Sequence, residues 1–333
     1  MFFLGLAGCS LAPGPEGPVA SLNPPVKVER ITYKGWPDAV RLRNASCELV
    51  VVPAVSRVMH FSLIGGPNLL WENPEFAGKT FPTDEGKWHN IGGDKLWPTQ
   101  QSLFLKYTGH NDWPPPWPWD GGASRAEMLP GGVRIALPHD ARFGAHAVRE
   151  FTLDHDKPLL HVRQWIEKTD GSPTDLTVWT VTQVNNPLVT LIPSENGEYS
   201  NLGPASEMIG VHKNYLTLAR EQAKGLKIGV TPQGQNGWVA SVFEVPAGRQ
   251  MLILSHKLVE GGGYPDKNLQ AELYTSPVTV GYYTEMELLS PLKTMTAGQT
   301  LADDAIWQIV PANGADHFTT AKMAHENAMT RLK

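Results

Sequence analysis

Tyr283-Thr284-Glu285-Met286-Glu287-Leu288-Leu289-Ser290-Pro291 alternates two kinds of side chain at a period of two, until Ser-Pro breaks the pattern. Successive side chains of a strand point to opposite faces. Thr284, Met286 and Leu288 therefore share one face, which suits the interior of a sandwich. Tyr283, Glu285 and Glu287 share the other, where the carboxylates stand ~7 Å apart along the sheet surface. Close carboxylates resist joint ionisation, so one is poised as a base near neutral pH. A plain solvated strand face would carry the same pattern.

Segments of strand character run outward from this one. They are Cys47 to Pro53, Val55 to Leu63, Val133 to Leu137, Ala147 to Leu153, Leu159 to Lys168, Leu176 to Val184, Val239 to Val245, Met251 to Leu258, Val278 to Leu289 and Ala305 to Val310. Most are rich in β-branched and aromatic residues and end at Gly, Pro, Asn or Asp. With 32 Gly and 28 Pro among 333 residues, a breaker falls about every five or six positions, which leaves little room for long helices. One helix is expected, from Asp316 to Leu332, where Ala, Met, Glu and Lys dominate. Length alone suggests two domains, yet no repeat and no clear boundary divides the chain. The expected fold is therefore all-β: one large antiparallel sandwich over 29–312, followed by a short C-terminal helix within 313–333.

The formal net charge is −5, which argues against a nucleic-acid binder held by a basic surface. No apolar run is long enough to span a bilayer. Near the start, Leu6-Ala7-Gly8-Cys9 looks like a bacterial lipobox, whose small residues admit a signal peptidase and whose thiol receives a lipid. Residues 1–9 then read as a signal remnant and 10–28, rich in Pro, Gly, Ser and Ala, as a flexible tether. A lipidated Cys9 leaves Cys47 without an intrachain partner, so neither a disulfide framework nor a Cys-based zinc site is expected. The expected location is exported and membrane-anchored, periplasmic or at an outer membrane.

Residues 73–120 read as a long loop with little periodicity, and such loops inside a compact domain are usually functional. Six of the eleven Trp fall at 71, 88, 97, 113, 117 and 119, beside Pro, Asp and Asn. An indole face suits the C–H faces of a sugar ring, although a packed mini-core of Trp and Pro would look alike in sequence. If the loop and the Glu285/Glu287 strand form one site, they must converge on one pocket.

The stretch Glu48 to Trp71, the segment His89-Asn90-Ile91-Gly92-Gly93-Asp94-Lys95-Leu96-Trp97-Pro98, the strand Leu176 to Val184, and Glu285/Glu287 followed by Ala297-Gly298 together resemble the galactose-mutarotase-like superfamily. More closely they resemble a bacterial family of that fold, often exported and marked by Gly-Gly-Asp-Lys-x-Trp-Pro. The resemblance spans about residues 30 to 310 and implies a β-supersandwich with a sugar-binding cleft on the concave face of one sheet. In mutarotases a late Glu takes the proton from the anomeric hydroxyl and a His protonates the ring oxygen; the ring opens and recloses as the other anomer. By this resemblance Glu287 or Glu285 is the base, and His89 matches a substrate-contacting His, with two residues inserted before its Gly pair. Asp94, Lys95, Trp97, Trp113, Trp179 and Gln183 are candidate substrate contacts. The acid departs from the pattern: Leu176-Thr177-Val178-Trp179-Thr180 places Trp179 where the His should stand. Indole cannot protonate a ring oxygen at neutral pH, so either His89, His110 or Asp94 serves instead or ordinary mutarotation is absent.

His139, His146, His155 and His161 make no metal-binding spacing, and no phosphate loop, nucleophile elbow or dinucleotide fingerprint is present. Gly261-Gly262-Gly263-Tyr264 reads as a loop. No cofactor or metal is expected. Three functions stay open: an aldose-epimerase-type enzyme, a non-catalytic carbohydrate-binding lipoprotein, and a glycan hydrolase or lyase on the same scaffold.

Overall fold

The structure, a computed structural model, describes residues 26–82, 87–109, 113–203, 208–219, 225–235, 237–277 and 281–332. Cys9, the tether up to residue 25 and His110 lie outside the described residues.

Two large antiparallel sheets make most of the molecule, beside a two-stranded one formed by Thr174–Leu176 and Lys293–Met295. The first, ten-stranded among the described residues, runs in the spatial order Lys27–Tyr33, Trp36–Arg43, Cys47–Val52, Arg57–Leu63, Asp94–Trp97, Trp179–Asn185, Tyr283–Leu289, Ala271–Thr275, Leu226–Val230, Ser200–Asn201. The second, eleven-stranded, includes Gly132–Ala136, Ala145–Leu153, Leu159–Lys168, Trp238–Val245, Gly248–His256 and Ala305–Pro311. Their facing sides share one core. Met286, Leu288, Leu273, Val184, Leu96 and Phe61 come from the first sheet; Phe151, Val162, Leu252, Leu254 and Trp307 come from the second. The Phe61 and Trp307 rings meet edge-on across the gap, 6.0 Å between centroids. Met286 and Leu288 thus lie on the interior face that the period-two pattern assigns to them.

The helix forms at His317–Met329, with Asp316 as its cap: its carboxylate accepts from the Thr319 amide at 2.9 Å. It does not enter the inter-sheet core. Ala321, Ala324 and Phe318 instead cover Trp238, Ala240, Met251 and Ile253 on the outer face of the second sheet.

The segment expected to be a structureless loop contains a strand. Asp94–Trp97 is the fifth of the ten and pairs with Trp179–Asn185, so the Gly-Gly-Asp-Lys motif lies at the centre of the sheet. The two glycines make this entry possible. Both have positive φ, +99° at Gly92 and +71° at Gly93, and a Cβ at either would collide with the backbone of Trp71 or Val58. Close approach lets the Gly93 amide donate to the Trp71 carbonyl at 2.7 Å while the Gly93 carbonyl accepts from Gln183 at 3.0 Å. Cys47 is buried and has no disulfide partner among the described residues.

Candidate functional site

Cross-strand register assembles the site. On the outer face of the first sheet, Lys95 stands opposite Val181, which stands opposite Glu287, which stands opposite Glu272. The next row aligns Gln183, Glu285, Tyr274 and Lys227. Trp97 and Trp179 face each other one row the other way. Five strands thus bring residues from positions 95 to 287 onto one surface. That surface is not the open, solvated strand face: Glu287 is 1% exposed, Glu285 8%, and Lys95 and Glu272 are fully buried.

Two chains of contact run through the cluster. In the first, the Trp179 indole N–H donates to Glu287 Oε2 at 2.8 Å. Lys227 Nζ lies 3.4 Å from the same oxygen and 2.6 Å from Glu272. In the second, the Gln183 amide donates to Glu285 Oε1 and to Asn90 Oδ1, both at 2.8 Å, while Lys95 Nζ stands 3.6 Å from Glu285 Oε1. Several buried polar atoms here have no hydrogen-bond partner among the described residues: Lys95 Nζ, Glu287 Oε1, Glu272 Oε1 and Gln183 Oε1; Glu272 Oε2 is held by Lys227. Buried polar groups are almost always hydrogen-bonded, so a group of these on one surface marks a place built to meet something polar.

Burial pushes the Glu287 carboxyl up to about 8; Glu272 and Glu285 add to the rise, while Lys227 and the Trp179 N–H oppose it. Burial also lowers Lys95 from its ordinary range, with Arg57 adding to the effect and Glu285 opposing it. For Lys227 burial alone would lower the ammonium, yet Glu287 and Glu272 outweigh it and hold the group charged.

The tryptophans divide between two roles. Trp113 is 38% exposed and sets its ring edge-on to both Trp88 and Trp97 at 4.8 and 5.8 Å; Trp97 meets Trp179 at 4.9 Å. The aromatic segment and the Glu285/Glu287 strand therefore converge through Trp97, Trp179 and Glu287. Trp71 lies on Tyr283 at the other end of the same strand. Trp119 packs in the inter-sheet core, and Trp117 belongs to an apolar cluster with Trp36, Val52 and Met59.

Individual candidates fall out differently. Trp97 is buried and spends its N–H on Asp120 at 2.8 Å, so its ring supports the site from beneath. Asp94 points the other way, into the space between the sheets. There it accepts from Arg149 at 2.6 Å and from Thr182 at 2.7 Å. Expected as a substrate contact or acid, Asp94 is corrected by strand alternation to a link between sheets. His89 stacks on Phe81 at 3.7 Å and meets Phe76 and Trp117 edge-on, which seats it in the aromatic cluster beside the site. Its neighbour Asn90 is the residue that reaches Gln183.

Lys227, Glu272, Tyr274 and Asn90 escape the sequence reading, as does Asp266. Asp266 follows the Gly261-to-Tyr264 run and lies in three consecutive non-glycine residues with positive φ: +46° at Asp266, +70° at Lys267 and +69° at Asn268. Such backbone costs about 1–3 kcal/mol per residue and clusters at functional sites. Burial raises Asp266 to about 6, with the Glu272 charge adding to it.

No family model matches the chain, and no curated protein matches it. Solved structures do. A galactose mutarotase-like protein from Lactobacillus casei superposes with a TM-score of 0.54 at 10% identity, over 82% of this chain and 100% of that one. A candidate aldose 1-epimerase from Klebsiella pneumoniae gives 0.58 at 10% identity, over 91% and 87%. A TPR-domain-containing protein from Parabacteroides distasonis gives 0.55 at 10% identity over 82% of this chain, which spans 47% of that protein's length. At these identities the likeness establishes the fold: the chain is a galactose mutarotase-like β-sandwich.

Proposed function

We propose that the Glu285/Glu287 surface binds a carbohydrate and catalyses aldose 1-epimerase-like ring opening. The observation that carries this is the group of orphaned polar atoms from Lys95, Gln183, Glu272 and Glu287, walled by aromatic rings. Three of the four side chains offer acceptors, and sugar hydroxyls supply the donors they lack. An indole as exposed as Trp113 provides an apolar face beside them. Glu287, whose proton leaves near neutral pH, is suited to take the proton of an anomeric hydroxyl, and Glu285 to orient the ring.

One observation favours a second reading, a carbohydrate-binding protein without turnover. By the sequence resemblance Trp179 stands where the acid would be, and its N–H donates to Glu287. Titration calorimetry and NMR exchange spectroscopy on a panel of reducing sugars separate the two. Heat together with anomer exchange above the buffer rate supports the enzyme; heat without exchange supports the binder; no heat with any glycan contradicts both. Membrane anchoring through Cys9 belongs to the same proposal and is checked separately by fatty-acid labelling that Cys9→Ala should abolish.

A further inference from the structure

We infer that Lys95 delivers the proton to the ring oxygen of the bound sugar while Glu287 takes one from the anomeric hydroxyl. The inference rests on the carbohydrate reading above and names the acid that Trp179 cannot be.

Lys95 is fully buried on the centre of the sheet, with no hydrogen-bond acceptor for Nζ among the described residues. Its nearest carboxylate oxygen, on Glu285, lies at 3.6 Å, too long for a charge-assisted hydrogen bond, so its donors are still to be given. The ammonium lies 5.2 Å from the Trp97 ring centroid, yet a ring face does not replace the acceptors that its buried donors lack, and leaving them unused is costly. Burial of the same kind applies to Glu287, whose Oε1 is also orphaned. The two stand on strands two apart, either side of Val181 in a single row, with backbones about 10 Å from each other. The buried Val181 side chain lies between them on the same face, with Trp97, Trp179 and Leu289 in one apolar cluster. One proton donor and one acceptor thus stand on either side of a buried apolar residue, in one row of the sheet.

The step balances without a co-reactant. The Glu287 carboxylate removes the O1 proton, the C1–O5 bond breaks to give the aldehyde, and the Lys95 ammonium protonates O5. Rotation about C1–C2 and the reverse transfers close the other anomer and restore both groups. Lys95 must be charged and Glu287 ionised, so the rate should rise with pH to about 8 and fall again as Lys95 loses its proton. The groups facing Lys95 are Glu285, Glu287, Arg57 and Asp120. Those facing Glu287 are Lys227, Glu272, Glu285 and the Trp179 N–H.

The test is anomer exchange by NMR across about pH 5.5 to 10.5 on wild type, Lys95→Met and Lys95→Arg. Lys95→Met should lose at least about 100-fold in kcat with KM changed by no more than a few-fold. Lys95→Arg, which stays charged, should lose the alkaline limb at reduced kcat. Should either variant fail to fold, the Nζ titration of Lys95 in wild type, followed by 15N lysine NMR, must coincide with the alkaline limb. A kcat for Lys95→Met within about threefold of wild type, an alkaline limb that persists in Lys95→Arg, or a mismatch with the Nζ titration would overturn the inference alone. Wild type without exchange on any sugar would overturn the carbohydrate enzyme reading with it.

Discussion

Asp94 and Lys95 are adjacent in the chain, both buried and both ionisable, and the sheet sends them to opposite fates. Asp94 faces inward, where both carboxylate oxygens are engaged, one by Arg149 from the second sheet and one by Thr182. Lys95 faces outward into a cluster of three glutamates and a second lysine, where its ammonium has no hydrogen bond among the described residues. The inward charge ties two sheets together. The outward one is left unsatisfied at a cost in stability, which is the usual mark of a functional surface.

The comparison can be broken most forcefully at Arg149. Removing one member of a buried ion pair leaves an uncompensated charge, so Arg149→Met should cost about 3–5 kcal/mol in denaturant unfolding. A loss below about 1 kcal/mol would mean that Asp94 is no better served than Lys95. Lys95→Met should behave differently: its stability should stay within about 1 kcal/mol of wild type or rise, since the 3.6 Å contact with Glu285 gives little back for the buried charge.

Linkage sharpens the same contrast. Glu287 binds its proton more tightly folded, at about 8, than its ordinary value of 4.5 allows unfolded. Its contribution to stability is therefore complete below about 4.5 and is lost as pH rises through about 8. Lys95 has the opposite sign to a lysine that gains a partner. Its folded pKa lies below 10.5, so charging it costs stability as pH falls through that folded value. Comparing unfolding midpoints at several pH values, Glu287→Gln should flatten the decline between pH 4.5 and 8. An unchanged slope would assign the decline to other groups.

An effect on stability alone is expected at the far side of the molecule. Asp316→Ala removes the helix cap and should cost about 1 kcal/mol, with sugar binding untouched. A change in binding there would couple the helix to the site.

How much of this was legible in the sequence follows from what each element declares locally. The Tyr283–Leu289 strand shows its two faces because its alternation is clean over seven residues. Leu159–Lys168 is legible for its length and β-branched content. Asp94–Trp97 is not: four residues, two of them charged, between a Gly pair and a Pro give no periodicity. Its place at the centre of the sheet is fixed by pairing with residues more than eighty positions away. The strands carrying Lys227 and Glu272 are five residues each, too short to declare a period on their own. Trp179 stands out in sequence as a departure from the pattern, but only the folded structure brings its N–H to Glu287. Asp266 depends on positive φ at non-glycine residues, which composition does not announce.

The central claim is that the orphaned atoms around Glu287 await a sugar. The most direct measurement is 15N indole NMR of the tryptophans during titration with a reducing-sugar panel. The account predicts that the Trp179 N–H, held by Glu287, and the exposed Trp113 shift saturably with at least one sugar, and that Glu285→Gln weakens the response. Indole signals that stay fixed with every sugar, or that move only at Trp238 beneath the C-terminal helix, would contradict it.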